Sequence, residues 1–361
     1  MIDKYTKVGI AVAATLQDVA HLAGVNPSTV SRVLNGKSVI SSETRERVLA
    51  AIEKLDYHPN SLARSLASGQ AGAIGVVLDA QDVGAFQNPF FSASQFAIEQ
   101  YAQDQGYHVM VANGGRKSGN AVERLVLERK VDGLIMPPST GHPELLKKLT
   151  SFPYVFLGQP DENGDAYNWV DIDNEYGALI AVEHLVSKGY RRIAYLGGSQ
   201  RSDAGFIMRR QKGYLKGIPE GEPHWLLATD GTPENAYEVA MACLQGEQHP
   251  DAFLLDDNMA GIGLIKACRE LGLSIPQDIG AVTFNNFPMA AYTDPPLTAI
   301  DINTGLLGTE TAQMLFECMK DAEAGHHKLI KPSLIVREST QKKRRRCAGE
   351  PTGRCTSRKR D

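Results

Sequence analysis

The sequence predicts an all-α head of three short helices followed by a larger α/β domain in two lobes, and three observations predict it. Within residues 15–59 apolar residues recur at helical spacing in three short segments separated by turn residues. From Ala73 onward short apolar runs alternate with amphipathic stretches, the pattern of parallel strands covered by helices on both faces. That alternation continues to residue 338, long enough to divide into two lobes.

In the head, Thr15-Leu16-Gln17-Asp18 reads as a helix start, Thr15 as N-cap and Asp18 reaching back to it. Leu16, Val19, Ala20 and Ala23 then share one face, and Gly24 ends the helix because it can turn into the left-handed region without a Cβ penalty. Asn26-Pro27 opens a second helix, Asn26 as cap and Pro27 in the first turn. Val30, Val33 and Leu34 supply its inner face, while Ser28, Thr29, Ser31, Arg32 and Asn35 point outward. A third helix runs from about Ser42 to Leu55, with Val48, Ala51, Ile52 and Leu55 inward. Three such helices with a glycine turn between the first two match a helix-turn-helix, whose second helix enters the major groove; a generic three-helix bundle fits the spacing as well. Asn60 to Ala67 is capable of two helical turns ending near Gly69, too short to be stable alone in water, so residues 60–70 are expected to be a hinge.

In the large domain the predicted strands are Ile74–Leu78, His108–Ala112, Gly133–Met136, Tyr154–Leu157, Trp169–Ile172, Ile193–Leu196, Trp225–Ala228, Ala252–Leu255, Ala281–Phe284, Ala299–Ile302 and Leu334–Val336. Helices are expected between them, among them Phe91–Gln105, Ala178–Ser187, Asn235–Leu244, Ala260–Leu271 and Thr304–Lys320. Ligands of open α/β sheets bind outside the carboxyl ends of the strands, so the cleft between lobes is the expected site.

Charge is unevenly placed. The chain of 361 residues carries −4 overall, but residues 342–361 carry +7, residues 1–70 carry +2, and the middle is strongly acidic. A head of +2 is weak electrostatic evidence for nucleic acid, so that expectation rests on pattern. Residues 339–361 read as a basic disordered tail without periodicity. Five cysteines form no C-x-x-C pair or Cys/His cluster, which argues against a disulfide framework or a metal site and fits a reducing cytoplasm. Residues 1–14 superficially resemble a signal peptide, but the apolar run is minimal and a capped helix follows at once, so a plain N-terminal extension is expected. No dinucleotide fingerprint, phosphate loop, nucleophile elbow or spaced histidine pair occurs, and the adjacent His326-His327 falls in a polar turn; no catalysis and no cofactor are expected.

The head carries a resemblance. Thr15-Leu16-Gln17-Asp18-Val19-Ala20, Ala23-Gly24-Val25, Ser28-Thr29-Val30-Ser31-Arg32-Val33-Leu34-Asn35, Thr44-Arg45 and Tyr57-x-Pro59-Asn60 resemble the LacI/GalR family of transcription regulators. So do Gly189-Tyr190-x-x-Ile193-Ala194, Gly213-Tyr214, Asp257-x-Met259-Ala260-Gly261, Leu271-Gly272-Leu273-x-Ile275-Pro276 and Pro295-Pro296-Leu297-Thr298. The resemblance implies a periplasmic-binding-protein type I effector domain over residues 72–338 and a homodimer or tetramer on double-stranded operator DNA. It implies that Pro27, Ser28 and Arg32 read bases while Thr15, Thr29, Ser31 and Asn35 contact DNA more generally. Physically, Arg32 can fork onto a guanine edge and serine can bond to either kind of base. In the hinge it implies that Asn60, Ala63, Arg64 and Leu66 enter the minor groove, Leu66 as a wedge.

For the effector the resemblance implies Asn88, Phe90 and Phe91 from the first lobe, and Asp173, Arg210, Asp256, Asn258 and Asn285 from the second. Charged forks, carboxylates and amides suit vicinal hydroxyls, and aromatic rings suit the apolar face of a pyranose. Asp256 and Asp257 also read as caps of the helix that follows, and Phe90 and Phe91 as core. Asn285 stands where many relatives carry Asp, and Gly231 where many carry an aromatic, which leaves room for a larger sugar. Asn88-Pro89-Phe90-Phe91, Phe284-Asn285-Asn286 and Asp301-Ile302-Asn303 are most similar to the maltose-operon branch, implying maltose or a maltodextrin. The alternatives are a corepressor-dependent regulator of the catabolite-control type and a sugar receptor without DNA function.

Overall fold

Capping sets the first helix. Thr15 Oγ1 accepts from the Asp18 amide at 3.2 Å while the Asp18 carboxylate accepts from the Thr15 amide at 2.8 Å, so two otherwise orphaned N–H groups are satisfied at once. Helix α1 (Leu16–Ala23) then stops at Gly24, whose φ is +65°. Asn26 Oδ1 caps α2 (Pro27–Leu34) by accepting from the Ser28 amide at 3.0 Å. Ser41 caps α3 (Ser42–Lys54). These helices bury Val19, Ala20, Ala23, Val30, Val33, Val48 and Ala51, and Tyr57 completes the cluster. Leu34, expected inward, is 36% exposed, because the core of α2 is filled by Val30 and Val33.

The computed structural model describes residues 14–34, 40–57, 69–78, 89–114, 121–161, 164–198, 205–321 and 326–342. Two compact units divide at Gly72 and Ala73. The predicted hinge core, with Asn60, Ala63, Arg64 and Leu66, lies outside the described residues, as do Asn35, Asn88, residues 1–13 of the N-terminal extension and the tail beyond 342.

The second unit holds two six-stranded sheets. In the first lobe, β1 (Ala73–Leu78), β2 (His108–Asn113), β3 (Gly133–Met136), β4 (Tyr154–Leu157) and β5 (Trp169–Ile172) pair in parallel, with β2 on one edge. In the second lobe, β6 (Ile193–Leu196), β7 (Trp225–Leu227), β8 (Ala252–Leu255), β9 (Gly280–Phe284) and β10 (Thr298–Asp301) do the same. Strands β1, β3, β5, β6, β8 and β9 are buried at every residue, as two-sided coverage by helices requires. The first lobe carries α4 (Pro89–Asp104), α5 (Ala121–Leu127) and α6 (Pro143–Lys148); the second carries α7 (Asn174–Ser187), α8 (Gly205–Gly217), α9 (Pro233–Leu244), α10 (Asn258–Glu270) and α11 (Pro288–Tyr292).

Helix α12 (Thr304–Lys320) follows the second lobe in sequence but packs on α4 and on β3, β4 and β5 of the first. The chain therefore changes lobe three times: after β5 at Asp173, after β10 at Ile302 and Asn303, and at Lys331 and Pro332. The last change follows β11 (His327–Ile330), a parallel edge strand on β5. This corrects the expected polar turn at His326-His327: His327 opens β11 and stacks on Trp169 with ring centroids 5.0 Å apart. Only Ile330 of that strand is buried, so it carries no apolar pattern. After it, β12 (Ser333–Ile335) pairs antiparallel with β10. Packing of the second lobe runs past residue 338, where the tail was expected to begin. Ser339 Oγ donates to the Ala281 carbonyl at 2.6 Å, and Thr340 joins Thr298 and His184; both residues are fully buried.

Candidate effector site and DNA-reading helix

The carboxyl ends of β1, β4, β5, β6, β8, β9 and β10 converge between the lobes on a cavity of about 540 Å³. Phe90 and Phe91 from the first turns of α4 and Phe206 from α8 give it aromatic walls. Phe90 and Phe91 meet edge to face at 5.7 Å, so each holds the other's ring in place.

Arg210, on α8, is the best-anchored polar group. Its Nε donates to Asn174 Oδ1 at 2.9 Å, and its Nη1 donates to Asp256 Oδ1 at 2.7 Å and to the Asp256 carbonyl at 2.8 Å. The guanidinium lies 3.8 Å from the Phe284 ring centroid and 5.0 Å from that of Phe206. Among the described residues, Nη2 makes no hydrogen bond. Asp256 is held in turn by Tyr195 Oη at 2.9 Å and the Gly198 amide at 3.3 Å. Asn285 sits in the left-handed region with φ +71°, and its Oδ1 is buried without a hydrogen-bond partner. An amide oxygen stranded at a cavity wall is costly unless something else bonds to it.

Further polar residues outside the expected set line the cavity, among them Asp171, Asn174, Asp230 and Asp257. Burial pushes the Asp171 carboxyl up, against the Gln159 and Ile172 amides that bond it at 2.9 and 2.7 Å. Burial, with the neighbouring Asp256 charge, pushes Asp257 up to about 6. A carboxylate inside the apolar run Trp169–Ile172 was the visible signal for Asp171; Asp257 was legible only as a cap, and it does cap α10, accepting from the Ala260 amide at 2.9 Å.

Of the expected effector residues, Phe90, Phe91, Arg210, Asp256 and Asn285 come together on this cavity. Two do not. Asp173 sits at the first lobe change and caps α7, accepting from the Tyr176 amide at 2.9 Å. Asn258 is buried behind the wall, its Nδ2 donating to Thr283 Oγ1 and to the Phe284 and Asn285 carbonyls, which braces the backbone that carries Asn285. Gly231 lines the cavity, and a Cβ built on it meets nothing within 4 Å.

In the head, α2 leaves Ser28 and Arg32 exposed, with Pro27, Thr29 and Ser31 half-buried beside them. Ser28 Oγ donates to Asn26 Oδ1 at 2.9 Å, so its hydroxyl is oriented before any DNA arrives. Thr15 is exposed within its capping box.

This architecture is that of a regulator: a helix-turn-helix head ahead of a two-lobed receptor for a small molecule. Residues 15–60 match the family model for bacterial regulatory proteins of the lacI family, and residues 182–340 match the periplasmic binding protein-like domain. The HTH-type transcriptional repressor PurR of Mannheimia succiniciproducens is 30% identical over 341 residues, covering 91% of this chain and 99% of its own length. The lac repressor dimer bound to operator and the anti-inducer ONPF superposes with a TM-score of 0.79 at 29% identity, covering 91% of this chain and 99% of that one. The transcriptional regulator CelR in complex with cellobiose gives 0.67 at 28% identity, covering 90% and 99%. The chain belongs to the LacI family of DNA-binding bacterial regulators, a family of non-enzymes. Among the described residues no helix is long and apolar enough to cross a membrane.

Proposed function

We propose that this chain is a homodimeric transcription repressor of the bacterial cytoplasm, released from a pseudo-palindromic operator when a small sugar enters the cavity between its lobes. The observation that carries the reading is that a buried Asn285 Oδ1 without a partner and an Arg210 Nη2 unbonded among the described residues belong to residues lining the same cavity. One accepts and the other donates, as a vicinal diol requires, and Phe90, Phe91 and Phe206 offer apolar faces to a ring. The open space at Gly231 favours a disaccharide over a single ring, and the cellobiose-bound relative supports that size. Maltose and short maltodextrins are the first to test, on the three segments similar to the maltose-operon branch.

On DNA, Arg32, Ser28 and Pro27 read base edges, Thr15, Thr29, Ser31 and Asn35 hold backbone, and the hinge residues Asn60, Ala63, Arg64 and Leu66 occupy the minor groove. A two-fold protein needs two-fold DNA, so two heads address two half-sites. The sugar releases DNA only by binding the released state more tightly than the bound one. Titration of a promoter fragment at fixed salt, with and without maltose and cellobiose, tests this. Weaker DNA binding with sugar is the expected result; tighter binding would make the sugar a corepressor, and no duplex binding at low salt would leave only a sugar receptor.

A further inference from the structure

Granting that a carbohydrate occupies the cavity, we propose that this carbohydrate is neutral or amine-bearing and that the site is built against phosphorylated and carboxylated sugars. The first ground is the charge of the wall. Among the described residues, the lining carries four acidic residues, Asp171, whose carboxyl burial pushes up, with Asp230, Asp256 and Asp257, and one cation, Arg210. The Arg210 charge is answered inside the protein by Asp256 at 2.7 Å. What faces an incoming ligand is therefore a surplus of negative charge, focused by apolar walls of low polarizability.

The second ground is that, at Arg210 and at the starts of α7, α8 and α10, the devices that hold phosphate are already occupied. A bidentate guanidinium fork needs two free nitrogens, and Arg210 has only Nη2 to offer, since Nε and Nη1 bond Asn174 and Asp256. Backbone N–H groups at helix N-termini are the other common anion seat. Here α10 is capped by Asp257, α7 by Asp173, and the Asp161 carboxylate lies against Gly205 at the first residue of α8. The Gly198 amide, which also faces the cavity, donates to Asp256.

The third ground is what remains unsatisfied. Among the described residues lining this cavity, the fully buried side-chain atom without a partner is an acceptor, Asn285 Oδ1 in a residue 6% exposed, which asks for a hydroxyl or ammonium donor and shares the cavity with the Arg210 Nη2 donor. Thr232 donates to Asp230 and holds its carboxyl below the usual range, and Asp257, pushed to about 6, is mainly ionised at neutral pH. Both negative charges therefore persist where the chain works.

The experiment uses the full chain and matched pairs: glucose with glucose 6-phosphate, maltose with maltose 6′-phosphate, cellobiose with cellobiose 6′-phosphate, and galactose with galacturonate, plus glucosamine. Calorimetric affinity is read alongside the change in promoter-fragment binding. The expected result is that the neutral member of each binding pair wins by at least about tenfold, since like-charge contact is strongly disfavoured. Asp257→Asn, which can still cap α10, should narrow that gap. An anionic member that binds as tightly as its neutral partner while shifting DNA affinity overturns this inference and leaves the sugar-controlled repressor standing. Failure of every carbohydrate, charged or not, to bind or to alter DNA affinity overturns both.

Discussion

Replacing Arg210 by Met tests whether the ion pair across the cavity wall organises the second lobe as well as the ligand. Methionine keeps most of the aliphatic stem but removes the guanidinium, whose carbon lies over the Phe206 and Phe284 rings. Asp256, 15% exposed at its side chain, is then left charged without its counterion, and Asn174 Oδ1 loses its donor. Removing one partner of a buried pair costs about 3–5 kcal/mol. Tyr195 and Gly198 still bond the carboxylate, which places the expected loss near the lower end, about 3 kcal/mol. Urea unfolding followed by tryptophan emission suits the protein, because Trp169 lies in the first lobe and Trp225 in the second. The double variant with Asp256→Asn should recover more than about 1 kcal/mol, since the stranded charge is gone. A loss below about 1 kcal/mol, or coupling near zero in the double-mutant cycle, would show that the pair contributes little and that solvent relieves Asp256.

Other perturbations follow from the same geometry. Asp257 holds its proton more tightly folded than unfolded, so its ionisation opposes folding as pH rises from about 4 through about 6; Asp257→Asn should flatten the stability–pH curve there and raise stability at pH 7, measured by urea midpoints across that range. Gly213→Ala would drive a methyl into the Glu175 carbonyl where α8 crosses α7, with an expected cost of about 3 kcal/mol or more; a melting temperature equal to the parent's would refute that close approach. Arg209 reaches from α8 to the first lobe, its Nη2 donating to the Gln159 and Pro160 carbonyls at 3.2 and 3.0 Å and to Asp161 at 3.2 Å. Arg209→Gln should loosen lobe closure and speed effector release roughly fivefold, as loss of about 1 kcal/mol implies, read by stopped-flow displacement. Arg32→Ala should relax base preference at one operator position by about 1–3 kcal/mol in competition titrations; a uniform loss across all sequences would instead make it a phosphate contact.

Local structure was written plainly in the chain. Thr15 with Asp18, Gly24 and Asn26-Pro27 fix the boundaries of α1 and α2 through bonds that span no more than five residues. Fully buried strands such as Ala252–Leu255 show as unbroken apolar runs. β11 could not be found that way, since an edge strand with a single buried residue leaves no apolar period to read. The start of α7 is a second case: the expected Ala178 start missed a first turn begun by the Asp173 cap.

The effector site was legible in kind and blurred in detail. Asp171, Asp173 and Asn174 lie within four consecutive residues, yet Asp171 and Asn174 face the cavity while Asp173 closes a helix. Asp256 and Asp257 divide the two roles read for them, one paired with Arg210 and the other capping α10 while still facing the cavity. By itself the sequence determined the elements, the caps and the kind of chemistry on offer, because helix, strand and turn are decided by neighbours a few residues apart. Only the tertiary structure decided which polar groups face the cavity, because that depends on where the chain changes lobes and on partners as distant as Arg210 and Asp256, which meet across 46 residues of sequence.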